Sequence, residues 1–166
     1  TKISCIYEGT TGIQALDLLA RKIIGSKGEV LKPFAKDVSS FCQENMNDAD
    51  MAEFIQPIMA YAQEWHEITV TVGAKAMINP DEIGGASVDY LMFSGYVTLA
   101  YFWAKMAKVA QTKLAQGTDD KAFYQAKIKS AQFFIQRMLP RAKGHAACIN
   151  NGVDSMMALS SEDFVF

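Results

Sequence analysis

Apolar residues recur at helical spacing along most of the chain. Ile13, Leu16, Leu19, Ala20 and Ile23 form one stripe, which Thr10 or Thr11 is placed to cap and Gly25-Ser26-Lys27-Gly28 to stop. Leu31, Phe34, Val38, Phe41, Cys42 and Met46 predict a second helix from near Glu29, with Pro33 tolerated in its first turn. A break from Asn45 to Asp50 follows, with Asp48 or Asp50 as the next cap. Met51, Phe54, Ile55, Ile58, Met59, Ala62, Trp65, Thr69, Val72 and Ala76 then mark a third helix, in which Pro57 predicts a kink or a later start.

Asn79-Pro80-Asp81-Glu82 with Gly84-Gly85 reads as the longest loop, and Ser87 or Asp89 as the opening of a fourth helix that runs to Gln116. Leu91, Met92, Val97, Leu99, Tyr101, Phe102, Trp103 and Met106 surround that helix on nearly every side, which predicts a place in the middle of a bundle. Gly95 and Ala100 would let a neighbour approach closely. After Gly117, Thr118-Asp119-Asp120 caps a fifth helix that buries Phe123, Ile128, Ala131, Phe134, Ile135 and Met138. Pro140 bends or restarts it before it continues through Ala142, Ala146, Ala147 and Ile149 to Gly152. The tail offers one short helix over Asp154–Leu159, and Thr1–Gly9 alternates weakly, as an extended lead-in does. The fold class is therefore all-α, an up-and-down bundle of about five helices with a short C-terminal tail.

Composition narrows the function. The 166 residues suit one domain, half of them hydrophobic, and a net charge of −2 gives no electrostatic case for nucleic acid. Cys5, Cys42 and Cys148 are too few and too scattered for a disulfide scaffold or a zinc site, so a reducing, cytoplasmic setting is expected. The uncharged run from Tyr90 to Ala104 is shorter than the roughly 20 residues a membrane span needs, and reads as a core helix. There is no basic region followed by an apolar run at the start, and no initiator Met, so the chain is expected to be the C-terminal piece of a longer protein.

The stretch with most chemistry is Ile6-Tyr7-Glu8-Gly9-Thr10-Thr11-Gly12-Ile13-Gln14. It places a carboxylate on a glycine turn beside the unpaired N–H groups of a helix start, where a positioned base or an anion site is often built. The same residues are also an ordinary way to enter a helix. Other candidates are weaker. His66-Glu67 lacks the second histidine of a zinc-protease helix, Val70 standing in its place. His145 and Cys148 have one-turn spacing but no further ligands, and Gly84-Gly85 lacks the Gly-Lys-Ser/Thr of a phosphate loop. Arg137, Arg141 and Lys143 read as a solvated face, and Trp65, Tyr101, Phe102 and Trp103 as core.

The Ile-Tyr-Glu-Gly-Thr run with the early Gln14 resembles the catalytic-glutamate segment of flavin-dependent acyl-CoA dehydrogenases. Gly-Ile-Gln-Ala-Leu-Asp-Leu-Leu-Ala-Arg-Lys, from Gly12 to Lys22, is similar to the branch that carries an additional helical domain. The resemblance implies that residues 1–24 end the catalytic region and residues 25–166 form the appended helical-bundle domain. It further implies Glu8 as the base that takes the α-proton, Gly9 and the Glu8 main chain as substrate contacts, and Thr10, Thr11 and Gly12 as FAD contacts. The family more often has Ser-Gln where Thr11-Gly12 stands, so a contact at Gly12 could involve only main chain.

On this reading the parent oxidises an acyl-CoA to its 2-enoyl-CoA, passes electrons to an electron-transfer flavoprotein and is a homo-oligomer. Its N-terminal helical and middle β-domains, which hold most of the flavin and CoA, are not in this sequence. The chain by itself is then expected to be inactive, to retain no FAD, and to serve structurally, with some Met and aromatic residues exposed. The alternative is a free-standing helical interaction or oligomerisation module whose Tyr-Glu-Gly-Thr is coincidental.

Overall fold

The computed structural model describes residues 10–165. Helix α1 spans Thr11–Leu16 and widens into π-type turns over Asp17–Ile24. Lys27 and Gly28 then take left-handed backbone angles, and the Gly28 N–H bonds the Ile23 carbonyl at 2.8 Å, closing the helix as the glycine signal required. Helix α2 (Lys32–Asn45) starts three residues later than the apolar pattern suggested, with Pro33 in its first turn. Val38 and Cys42 face inward, but Met46 is exposed. Its expected place is taken by Asn45, whose Nδ2 donates to the Phe41 carbonyl at 2.8 Å.

Asp48 accepts the Asp50 N–H at 3.0 Å and so caps the tight turn Ala49–Met51 that opens α3 (Ala52–Ala76). The helix runs through Pro57 and does not begin there. Proline withholds only the bond to the Glu53 carbonyl, one turn from the helix start. Helix α4 (Asp81–Gln116) is the longest, and its start corrects the expected loop: Asp81 to Gly85 are helical. Asn79 Oδ1 takes the Asp81 N–H at 3.1 Å, and Asp81 and Glu82 lie where the helix macrodipole favours acids. Val153 passes against Gly85, where a Cβ would lie 3.0 Å from Val153 Cγ2, whereas a Cβ at Gly84 would meet nothing within 4 Å.

Gly117, with φ of 81°, ends α4, and α5 follows as Lys121–Phe133. Wide turns over Phe134–Met138 and a tight one over Leu139–Arg141 carry the chain past Pro140 into α6 (Ala142–Asn151). The tail makes a tight turn at Ser161–Phe164, not the helix expected over Asp154–Leu159. Among the described residues there is no strand, and the fold is an all-α bundle.

Helix α4 is the axis, with α1, α3, α5 and α6 packed on it. Its buried face carries Tyr90, Phe93, Val97, Ala100, Ala104 and Ala107. The alanines let α5 and α3 close on Met51, Phe54, Ile58, Ala131 and Leu139, while Tyr90, Phe93 and Val97 meet Leu19, Ile23, Trp65, Ile68, Val72 and Ala146. Helix α4 is nevertheless not enclosed. Val88, Met92, Leu99, Phe102, Met106 and Val109 face outward, Phe123 on α5 is also exposed, and nothing lies within 4 Å of where a Gly95 Cβ would be. The covering helices pack on one side of α4 only, and the other side is open along the same length. No helix among the described residues is long and apolar enough to cross a membrane.

Candidate functional site

Glu8 and Gly9 lie outside the described residues. The three candidates that follow them form the exposed start of α1. Thr10 is in the capping position and its carbonyl accepts the Gln14 N–H at 2.8 Å, yet no side-chain bond caps the helix. Neither threonine hydroxyl is therefore used up by capping, contrary to the expectation that one of them would be. Gly12 has no atom within 4 Å of where a Cβ would lie. The first-turn N–H groups and two hydroxyls thus share one open helix end, a donor set suited to an anionic or carbonyl-rich ligand.

Behind that end, the ion pairs of Asp17 with Arg21 and Lys22 brace the outer face of α1. The Arg21 guanidinium, followed by the Lys22 ammonium, holds the Asp17 carboxyl below its usual range. Ala15, Leu19 and Ile23 seat the inner face fully in the core, so the helix start is rigidly positioned relative to α4. Leu16 borders a shallow pocket of about 560 Å³ with Pro80, Ile83, Gly85, Val153 and Met156.

A larger groove of about 850 Å³ opens between the end of α1, α2 and α3. Ile24, Leu31, Phe34, Val38, Met59 and Val70 make its walls, with Lys27, Lys32, Gln43, Gln63 and His66 among its polar residues. The sequence did not single it out, although Ala35, Ser39, Ala62 and Gly73 on the facing helices leave the room. Burial alone pushes the Cys42 thiol up, which disfavours its thiolate form. On its inner wall Thr69 Oγ1 donates to the Trp65 carbonyl at 2.7 Å, which leaves the Tyr90 hydroxyl, also 2.7 Å away, to donate to Thr69. Burial, the dominant influence on it, raises the Tyr90 phenol.

The other candidates resolve as packing. His145 pairs with Asp89, Nδ1 to Oδ1 at 2.7 Å, and no cluster of three metal-ligating side chains occurs among the described residues. Lys143 bonds Glu64 at 2.8 Å and lies over the Tyr61 ring, while Arg137 and Arg141 are exposed. Trp65 and Tyr101 are core residues as expected, Trp103 is half-buried, but Phe102 is exposed.

An all-α bundle with an open helix start at one end is thus the class of protein. Residues 34–160 match the family described as Acetyl-CoA dehydrogenase C-terminal like, and the chain belongs to that family. It is 30% identical over 164 residues to the 3-methylmercaptopropionyl-CoA dehydrogenase of Ruegeria pomeroyi, covering 96% of this chain and 27% of that protein. Against the broad-specificity linear acyl-CoA dehydrogenase FadE5 of Mycobacterium tuberculosis it is 27% identical, covering 98% and 28%. A butyryl-CoA dehydrogenase of Syntrophomonas wolfei is 28% identical over 99% of this chain and 27% of its own length. The chain therefore spans little more than a quarter of the curated relatives it matches.

Proposed function

We propose that this chain is the C-terminal part of an FAD-dependent acyl-CoA dehydrogenase, with residues 1–24 closing the catalytic region and residues 25–166 forming an appended helical domain. The observation that carries the reading is the extent of the match. Alignment over 99% of the chain with a butyryl-CoA dehydrogenase takes in the Tyr7-Glu8-Gly9-Thr10 motif as well as the helical domain.

Glu8 is the base: its carboxylate takes a proton from the carbon next to the thioester carbonyl and becomes the neutral acid. A carboxylate suits this work because it is ionised at neutral pH yet survives in a dry site. Gly9 leaves the substrate room against the backbone. FAD, when bound, supplies the acceptor for the hydride that leaves the β-carbon. Thr10 and Thr11 would contact it through hydroxyls that do not cap the helix and Gly12 through its main chain, and the open start of α1 fits such a contact. The electrons then go to an electron-transfer flavoprotein, and the parent works as a cytoplasmic homo-oligomer. The chain alone lacks most of the flavin and CoA site, holds no FAD of its own and serves as structure.

The test is made on a longer protein that contains this chain and the region ahead of it. That protein should purify yellow, and Glu8→Gln should abolish acyl-CoA oxidation while leaving flavin bound. A colourless protein, or full turnover by Glu8→Gln, would overturn the assignment in favour of an independent helical module.

A further inference from the structure

The end of the bundle at which α1 begins carries an apolar surface. Ile13 and Leu16 on α1, Ile78 on the α3–α4 connector, and Met156 and Met157 on the tail are between 44% and 90% exposed. Leu16, Met156 and Met157 border the shallow pocket of about 560 Å³, together with Pro80 and Ile83. Ile13 lies one helical turn before Leu16 and Ile78 two residues before Pro80, so both flank that pocket.

These side chains stand on ordered backbone. The Ile78 and Asn79 N–H groups both bond the Lys75 carbonyl, at 3.0 and 2.9 Å. The Met156 and Met157 N–H groups both bond the Val153 carbonyl, at 2.9 and 3.1 Å. Val153 is itself buried against Gly85, which fixes this part of the tail to α4. Large apolar side chains held in water on fixed turns around a concave centre form a surface that another surface covers.

We propose that this end docks on the polypeptide ahead of Thr1 in the parent protein, through an apolar surface of that region. The inference rests on the reading of the chain as the C-terminal part of a dehydrogenase. Connectivity selects the occupant. Helix α1 begins at Thr11 and reaches Leu16 within about 8 Å, and residues 1–9 can span no more than about 30 Å. Whatever precedes Thr1 is therefore tethered beside the patch, at an effective concentration on the order of millimolar that a free partner rarely reaches. Most of the length of each relative lies outside the match, which leaves a region large enough to cover this end. Docked there, the helical domain clamps the start of α1, with Thr10, Thr11 and Gly12, against the same region.

Thiol labelling of single variants tests this, with the rate read at the introduced cysteine by peptide mass spectrometry. Ile78→Cys and Met157→Cys should each react about tenfold or more slowly in a longer protein that includes the preceding region than in the 166-residue chain. Lys121→Cys, at the far end of α4 about 50 Å away, should react equally fast in both. Equal rates at Ile78→Cys and Met157→Cys in the two proteins overturn the proposal. Slowing as large at Lys121→Cys overturns the assignment to this end. Rates in the 166-residue chain that fall with its own concentration give the patch to a second copy, and also overturn it. The readout is independent of flavin and activity. A colourless longer protein that still protects the patch would sink the dehydrogenase and leave the docked end, and a yellow one with the patch unprotected would do the reverse.

Discussion

His145 Nδ1 lies 2.7 Å from Asp89 Oδ1, tying α6 to α4, and the imidazole stacks on Tyr96 with ring centroids 5.9 Å apart. Both side chains are about a quarter exposed, so the bond is shielded enough to count and wet enough to remain modest. Asp89→Asn and His145→Gln should each lower unfolding stability by about 1 kcal/mol. In urea unfolding the double variant should lose little more than either single one. Simple additivity would mean the two groups do not interact.

A second tie, between Asp48 and Lys108, predicts a pH dependence. The Lys108 ammonium, and after it the Asp50 N–H, holds the Asp48 carboxyl below its ordinary value of 3.8. The stability this adds is fully present above 3.8 and is lost as the pH falls through the lower folded value. The urea midpoint of Asp48→Asn should therefore lie below that of the parent near about pH 6, and the gap should shrink as the pH falls below 3.8. A gap that stays constant down the acid limb would rule out the carboxylate as its cause.

The positions of the helices were legible because their apolar stripes are regular and their breaks are marked by Gly25 to Gly28, Asn45 to Asp50 and Gly117. Two errors have one source each. Gly84-Gly85 read as a loop because glycine usually breaks helices, and only the approach of Val153, distant in sequence, gives Gly85 a reason to be glycine inside one. The outer stripe of α4 read as core because hydrophobicity on all sides looks the same whether the last face is covered by the same chain or left open. For the candidate site, sequence supplied the residues Thr10, Thr11 and Gly12, but not that no side chain would cap the helix they open. The groove beside α2 was invisible, since it is made by what small residues leave empty.

Gly85 and Gly73 both sit in helices, yet substitution should move them in opposite directions. A Cβ at Gly73 meets nothing within 4 Å, so Gly73→Ala should gain about 0.8 kcal/mol from helix propensity. At Gly85 the new methyl would press on Val153 at 3.0 Å and on Met156 Sδ at 3.3 Å, and Val153 is buried and cannot yield freely. Gly85→Ala should therefore cost about 1 kcal/mol despite the better propensity. For a chain of this length the melting temperatures should part by about 4 °C or more. Equal gains at both sites would show that the tail does not hold Val153 against α4.

Trp65 gives the sharpest test of the inner groove wall. Its ring stands edge-on to Tyr90, centroids 6.5 Å apart, and also meets Phe34 at 6.2 Å, while its buried Nε1–H has no well-formed acceptor. An unsatisfied buried donor costs about 1–3 kcal/mol, which Phe at this position would not incur. Phe in turn gives up part of the indole's packing area, so the two effects oppose each other. Trp65→Phe should change stability by no more than about 1 kcal/mol, whereas Trp65→Ala, which also opens a cavity beneath the groove, should cost about 3–5 kcal/mol. Chemical denaturation of the two variants against the parent decides the point. If Trp65→Phe loses as much as Trp65→Ala, the indole N–H is making a bond that matters, and Tyr90 is the acceptor to test next.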